Sequence, residues 1–126
     1  MRAAIFAAAV CAAVSVSSAS AGEADVVSAK AAQSANGSWR FSVTVRHSDA
    51  GWDHYADAWE VLGPKREVIA RRILAHPHVD EQPFTRSLSG VEIPETIDQL
   101  TIRARDSVHG YGGAEVVLTL DRRDSR

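Results

Sequence analysis

Cysteine is nearly absent: the 126 residues hold one, Cys11, inside an apolar run at the start of the chain. A single thiol forms no internal disulfide and supplies no Cys pair to a structural metal. Aromatic residues make up only 6% of the chain, so the few large rings must anchor whatever core forms. Charge of one sign is lacking too. Fourteen Lys+Arg against 16 Asp+Glu leave a net charge of −2, which excludes a surface built to neutralise nucleic-acid phosphates. There is no Gly-rich phosphate loop and no Gly-x-Ser-x-Gly elbow. What is present is 45% hydrophobic residues, enough for a packed core, and room for one domain.

The first segment has the three parts of an export signal. Met1-Arg2 brings a positive charge, Ala3 to Val14 is an apolar run of 12, and Ala19-Ser20-Ala21 places small residues where a signal peptidase reads. The run is too short for a permanent membrane helix. Residues 1–21 are therefore expected to be a signal peptide cleaved after Ala21, and 22–126 a single domain. Cys11 would leave with the signal; Val10 ahead of it is not small, so lipid attachment at Cys11 is not expected. The remaining domain has no cysteine and its core must hold unaided.

Beyond the signal, apolar residues recur at period two between turn residues, the mark of half-buried strands. Ala24 to Ala32 reads as a first strand, followed by an Asn36-Gly37 hairpin turn. Trp39, Phe41, Val43 and Val45 alternate with polar residues in the second. Trp59 and Val61 mark the third, Glu67 to Ala75 the fourth, and Phe84, Leu88 and Val91 the fifth. Leu100, Ile102 and Ala104 form the sixth, and Val116, Leu118 and Leu120 the seventh. Paired Arg71 and Arg72 suggest that the fourth is an edge. Asp121 to Arg126 is a charged tail expected to fray. No stretch after the signal keeps a helical period for three turns. The fold expected is all-β, an immunoglobulin-like or fibronectin-III-like seven-stranded antiparallel sandwich, with a small barrel as the alternative. Trp39, Trp59 and Phe41 are the expected core anchors.

In such a sandwich the loops after strands two, four and six share one pole. That pole collects all five histidines: His47 at a strand end, His54, the pair His76 and His78, and His109. His76 and His78 are two apart, so on an extended segment their imidazoles face the same way. Together with His54 or His109 and a carboxylate, they make a candidate site for Zn²⁺ or Cu²⁺. Equally, the same histidines can brace long loops through hydrogen bonds to carbonyls. Trp52, Tyr55 and Tyr111 at this pole are candidate contacts for a protein or an envelope glycan. Arg86 keeps phase with Phe84 and Leu88, points toward the core side, and needs a carboxylate, Glu81 or Asp57, unless a bulge turns it to water. Asp53-His54 with Ser48 does not make a catalytic triad, because no strained strand-to-helix turn presents the serine. No enzymatic activity is expected.

The strings GWDHYADAWEVLGP (51–64), HPHVDEQPFTRSLSGVEIP (76–94) and DSVHGYGG (106–113) resemble a family of small exported, uncharacterised proteins of Gram-negative bacteria. The resemblance spans Trp52 to Leu120 and implies a periplasmic location; no family activity comes with it. The reading is a non-catalytic periplasmic binding module whose working surface is the His-rich pole. Its alternative is an envelope accessory domain that contacts a protein or glycan without metal. If the signal is read correctly, N-terminal sequencing of the exported protein will begin at Gly22; a start elsewhere removes the predicted cleavage site.

Overall fold

The computed structural model describes residues 22–122, so the expected signal at 1–21, Cys11 included, and the last four residues of the tail lie outside the described residues. Seven strands follow one another: β1 (Asp25–Gln33), β2 (Trp39–Arg46), β3 (Ala56–Leu62), β4 (Val68–Ile73), β5 (Phe84–Val91), β6 (Gln99–Asp106) and β7 (Val116–Thr119). They form two antiparallel sheets, β1-β2-β5 and β4-β3-β6-β7, so the chain is a sandwich and not a barrel. The strand β4 is indeed an edge, and it pairs with β3. In a constant-type immunoglobulin arrangement the fourth strand joins the other sheet.

Alternation explains both layers. Trp39, Phe41, Val43 and Val45 of β2 are each 0% exposed, and they meet Trp59 and Val61 of β3 and Leu100, Ile102 and Ala104 of β6 across the sandwich. Each sheet presents one apolar face to the other, so the core needs no cross-link. The β1–β2 hairpin closes as its Asn-Gly predicts. Gly37 takes φ 93°, and the Asn36 side chain accepts from the Ser38 amide at 3.0 Å. At the other edge the start of β1 crosses to the second sheet, where the Val26 amide donates to Ala114 O at 2.9 Å. The crossing requires glycine at 113, because a Cβ there would lie 2.0 Å from the Ala24 carbonyl oxygen.

The central strand β3 is buried on both faces. On the outer face Glu60 is 0% exposed, directly opposite Arg71 on β4 and Arg103 on β6. Arg71 Nε donates at 2.7 Å to one carboxylate oxygen, and Arg103 Nη2 at 2.8 Å to the other. The Tyr111 hydroxyl bonds to the same carboxylate, while its ring lies 3.9 Å from the Arg103 guanidinium. Burial alone would raise the Glu60 pKa, but the bonds from Tyr111, Arg103 and Arg71 outweigh it and hold the carboxyl below its ordinary value.

Two local expectations change. The tail is anchored at its start: Arg122 donates to Pro94 O at 3.0 Å and its guanidinium lies 5.7 Å from the Trp39 ring centre. The fourth strand is shorter than 67–75: Gly63 and Glu67 close a turn before it, and one further bond to β3, from Leu74 N to Asp57 O, follows its last residue Ile73. Glu60→Ala removes the shared acceptor of two guanidiniums, so it should lower unfolding free energy by about 3 kcal/mol in a denaturant titration. A loss under about 0.5 kcal/mol would mean that the arginines are held by water alone.

Candidate metal centre

The two strands that carry the core also deliver the site. In β2 the inward series Trp39, Phe41, Val43, Val45 runs one step past the strand to His47, which is 3% exposed. In β6 the series Leu100, Ile102, Ala104 ends on Asp106, which is 0% exposed. Polar groups therefore cap the sandwich at the place where the two apolar faces end, and each must find partners there.

Asp49 holds His47. Its Oδ1 lies 2.5 Å from His47 Nδ1 and accepts from the Ala56 amide at 3.0 Å, while its Oδ2 accepts from the His78 amide at 2.7 Å. Gln82 adds a second tie between the same loops, accepting from the His47 amide at 2.9 Å and donating to His78 O at 2.9 Å. His47 is thus fixed in position, with Nδ1 on a carboxylate and Nε2 free to face the pole. That is the carboxylate–histidine arrangement that orients imidazole ligands toward a metal.

Three atoms meet at that face. His47 Nε2, His54 Nε2 and the Gly22 carbonyl oxygen form a triangle with every edge 3.2 Å. Asp106 Oδ2 completes the group, 2.7 Å from His54 Nε2 and 3.9 Å from His47 Nε2. The ligand atoms of His47, His54 and Asp106 all lie within 4.8 Å of one another. Asp106 Oδ2 also accepts from the amides of Val108 at 3.1 Å and His109 at 3.0 Å, and lies 2.9 Å from His109 Nδ1. Its Oδ1 has no partner among the described residues. Burial pushes the Asp106 carboxyl up, but the bonds from the His109 amide and ring, the Val108 amide and His54 prevail and hold its pKa low. The group therefore stays an anion in the neutral range, as a metal ligand must.

The structure brings the three histidine-bearing loops to one end and divides the four candidate ligands into two groups there. His54 and His109 stand together, ring centres 4.9 Å apart, beside Asp106 and His47. His76 and His78 face the same way, centres 4.6 Å apart, but their link to the first group is through Asp49 and Gln82. The His78 ring stacks on Phe84 at 4.0 Å, and neither of its nitrogens finds a partner among the described residues. His76 is exposed and its Nδ1 lies 3.0 Å from Pro77 O.

Of the aromatic candidates, Trp52 is 67% exposed and meets Tyr55 edge to face at 5.5 Å. Tyr111 lies away from them on the outer face of the four-stranded sheet, yet it and Tyr55 line one open cavity of about 390 Å³ with Asp57, Arg71 and Arg105. Arg86 lies opposite Val43 in an unbroken stretch of register, so it does start toward the core. Its guanidinium then reaches the rim and pairs with Glu81 at 3.1 Å. Asp57 is not its partner, because Arg105 takes that carboxylate at 2.8 Å.

His47, Asp49, Gln82, Asp106 and Gly22 were not among the candidate ligands or ion pairs. For His47 and Asp106 the signal was the inward phase of β2 and β6 carried one step past the last apolar residue. For Gly22 no local signal exists.

No family model matches this chain, and no solved structure matches it. A protein of Halomicrobium mukohataei named "Putative lipoprotein" is 40% identical over 96 residues, which cover 76% of this chain and 47% of that protein. The chain thus spans about half the length of the curated relative it matches. The word lipoprotein belongs to that relative; Cys11, the residue such an attachment would use here, lies outside the described residues.

The His78 ring gives a pH prediction. Burial, with Arg86 and His76 nearby, holds its pKa below the ordinary value of 6.5. The unfolded chain then binds the proton that the folded chain refuses, so stability should fall as pH drops below about 6.5 toward the folded pKa. In melts between pH 7.5 and 5, His78→Phe should lose less stability on acidification than the parent; equal slopes would mean that His78 is not the responsible group.

Proposed function

We propose that this pole binds a divalent transition metal, Zn²⁺ or Cu²⁺, through His47, His54 and Asp106, and that the protein is a non-catalytic metal-binding module of the cell envelope, exported to the periplasm. The observation that carries this reading is the 3.2 Å triangle of His47 Nε2, His54 Nε2 and Gly22 O, with Asp106 Oδ2 beside it. Tetrahedral ligands about 2.1 Å from a zinc ion are about 3.4 Å apart. Proton counting supports the same conclusion. With His47 Nδ1–H donated to Asp49 and the His54 N–H donated to Asp106 Oδ2, the His47 Nε2 lone pair and Gly22 O face each other at 3.2 Å with no proton between them. A metal cation placed between them meets both.

Envelope association rests on the export signal read in residues 1–21 and on the likeness to a protein named as a lipoprotein. The test is the melting midpoint of the chain from Gly22 with Zn²⁺ and with Cu²⁺ in turn. A metal held by the native state alone, at 100 times its Kd, adds about 2.7 kcal/mol. The rise should vanish in His54→Ala and persist in His76→Ala. No rise with either metal, or a rise lost with His76, would overturn the assignment.

A second reading, contact with an envelope protein or glycan, draws on the exposed Trp52 and on the cavity flanked by Tyr55 and Tyr111. Exposed aromatic edges beside paired arginines suit a polar, flat-faced ligand. It predicts that peptidoglycan fragments shift Trp fluorescence, and that the shift disappears in Trp52→Ala while metal-dependent melting is unaltered.

A further inference from the structure

Gly22 O lies within 3.2 Å of two imidazole nitrogens, and Gly22 is also the residue at which the export signal is expected to be cut. Building on the metal reading above, we infer that removal of the signal creates the last ligand: the free α-amine of Gly22 joins its own carbonyl oxygen, His47 and His54 at the metal.

Covalent geometry carries the first step. The nitrogen and carbonyl oxygen of one residue are never more than about 3.7 Å apart. An amine at Gly22 therefore lies within about 3.7 Å of one corner of the triangle, within reach of a metal by rotation about a single bond. Nitrogen, Cα, carbonyl carbon and oxygen close a five-membered ring with a metal, so one residue supplies two donors with no loop to order. In an uncut chain that nitrogen is an amide, its lone pair is delocalised into the peptide bond, and it is a poor ligand.

The residue type fits the role. A Cβ at Gly22 would lie 3.1 Å from His109 Cε1 and 3.5 Å from His109 Nε2, so a side chain there would press on the His109 ring. Glycine lets the backbone approach the imidazoles without that contact. With an amine added, the donors become three nitrogens, the Gly22 oxygen and Asp106 Oδ2, and such a set of nitrogens and oxygens favours Cu²⁺ over Zn²⁺. Asp106 stays the anionic ligand, held in place by His109 and two backbone amides.

The experiment compares three forms by Cu²⁺ titration and by electron paramagnetic resonance: the chain beginning at Gly22, the same chain with its α-amine acetylated, and the same chain extended by Gly-Ser. Melting without metal checks that all three fold alike. The free amine should bind Cu²⁺ at least about tenfold more tightly than either blocked form. Its spectrum should also report one more coordinating nitrogen. Equal affinities, with His54→Ala abolishing binding in every form, would overturn the role of the terminus and leave the histidine site standing. Failure of all three forms to bind Cu²⁺ or Zn²⁺ would overturn both.

Discussion

One buried carboxylate organises the working end of this molecule. Asp49 is 7% exposed, and its oxygens meet His47 Nδ1 and the backbone amides of Ala56 and His78. A carboxylate out of water must collect donors on every side, and those available come from two loops and the start of β3. The loops are therefore drawn together by a desolvated charge, and the position of His47 follows from theirs. Asp106 repeats the principle on the other sheet, where His54, His109 and two amides gather around a single oxygen.

The same constraint on the outer face of the four-stranded sheet gives a different result. Glu60 meets two guanidiniums across the strands and a tyrosine hydroxyl from the β6–β7 loop, so its neighbours neutralise it. The pole has imidazoles in place of guanidiniums, and imidazoles offer lone pairs as well as protons. One cluster is closed and structural; the other presents unmatched acceptors. The loop from Ser107 to Glu115 takes part in both, beginning beside Asp106 and carrying Tyr111 over Glu60.

Most of the architecture was legible because it is written at period two. The alternation through Trp39–Val45 and Leu100–Ala104 names the inner face, and Asn36-Gly37 names the hairpin. Strand ends were less clear: β4 stops at Ile73, where Leu74 bonds Asp57 O, a contact with no trace in local sequence. The same limit applies at the pole. Histidines in alternating loops could be seen to converge, but a stacking partner for His78, Phe84, holds that ring against the core and away from His54. The row Arg71-Glu60-Arg103 was missed because it depends on register between strands, and the register is set by the whole core. Gly22 was missed because residues 25 and 32 positions further along the chain make its neighbourhood.

The path of the backbone also gives the molecule a front and a back. Gly22 enters among the imidazoles, whereas Arg122 leaves beside Pro94, Ile97 and Trp39, next to the opposite end of β2. Among the described residues, then, the chain's beginning reaches the mouth of the site and its end keeps to the far pole.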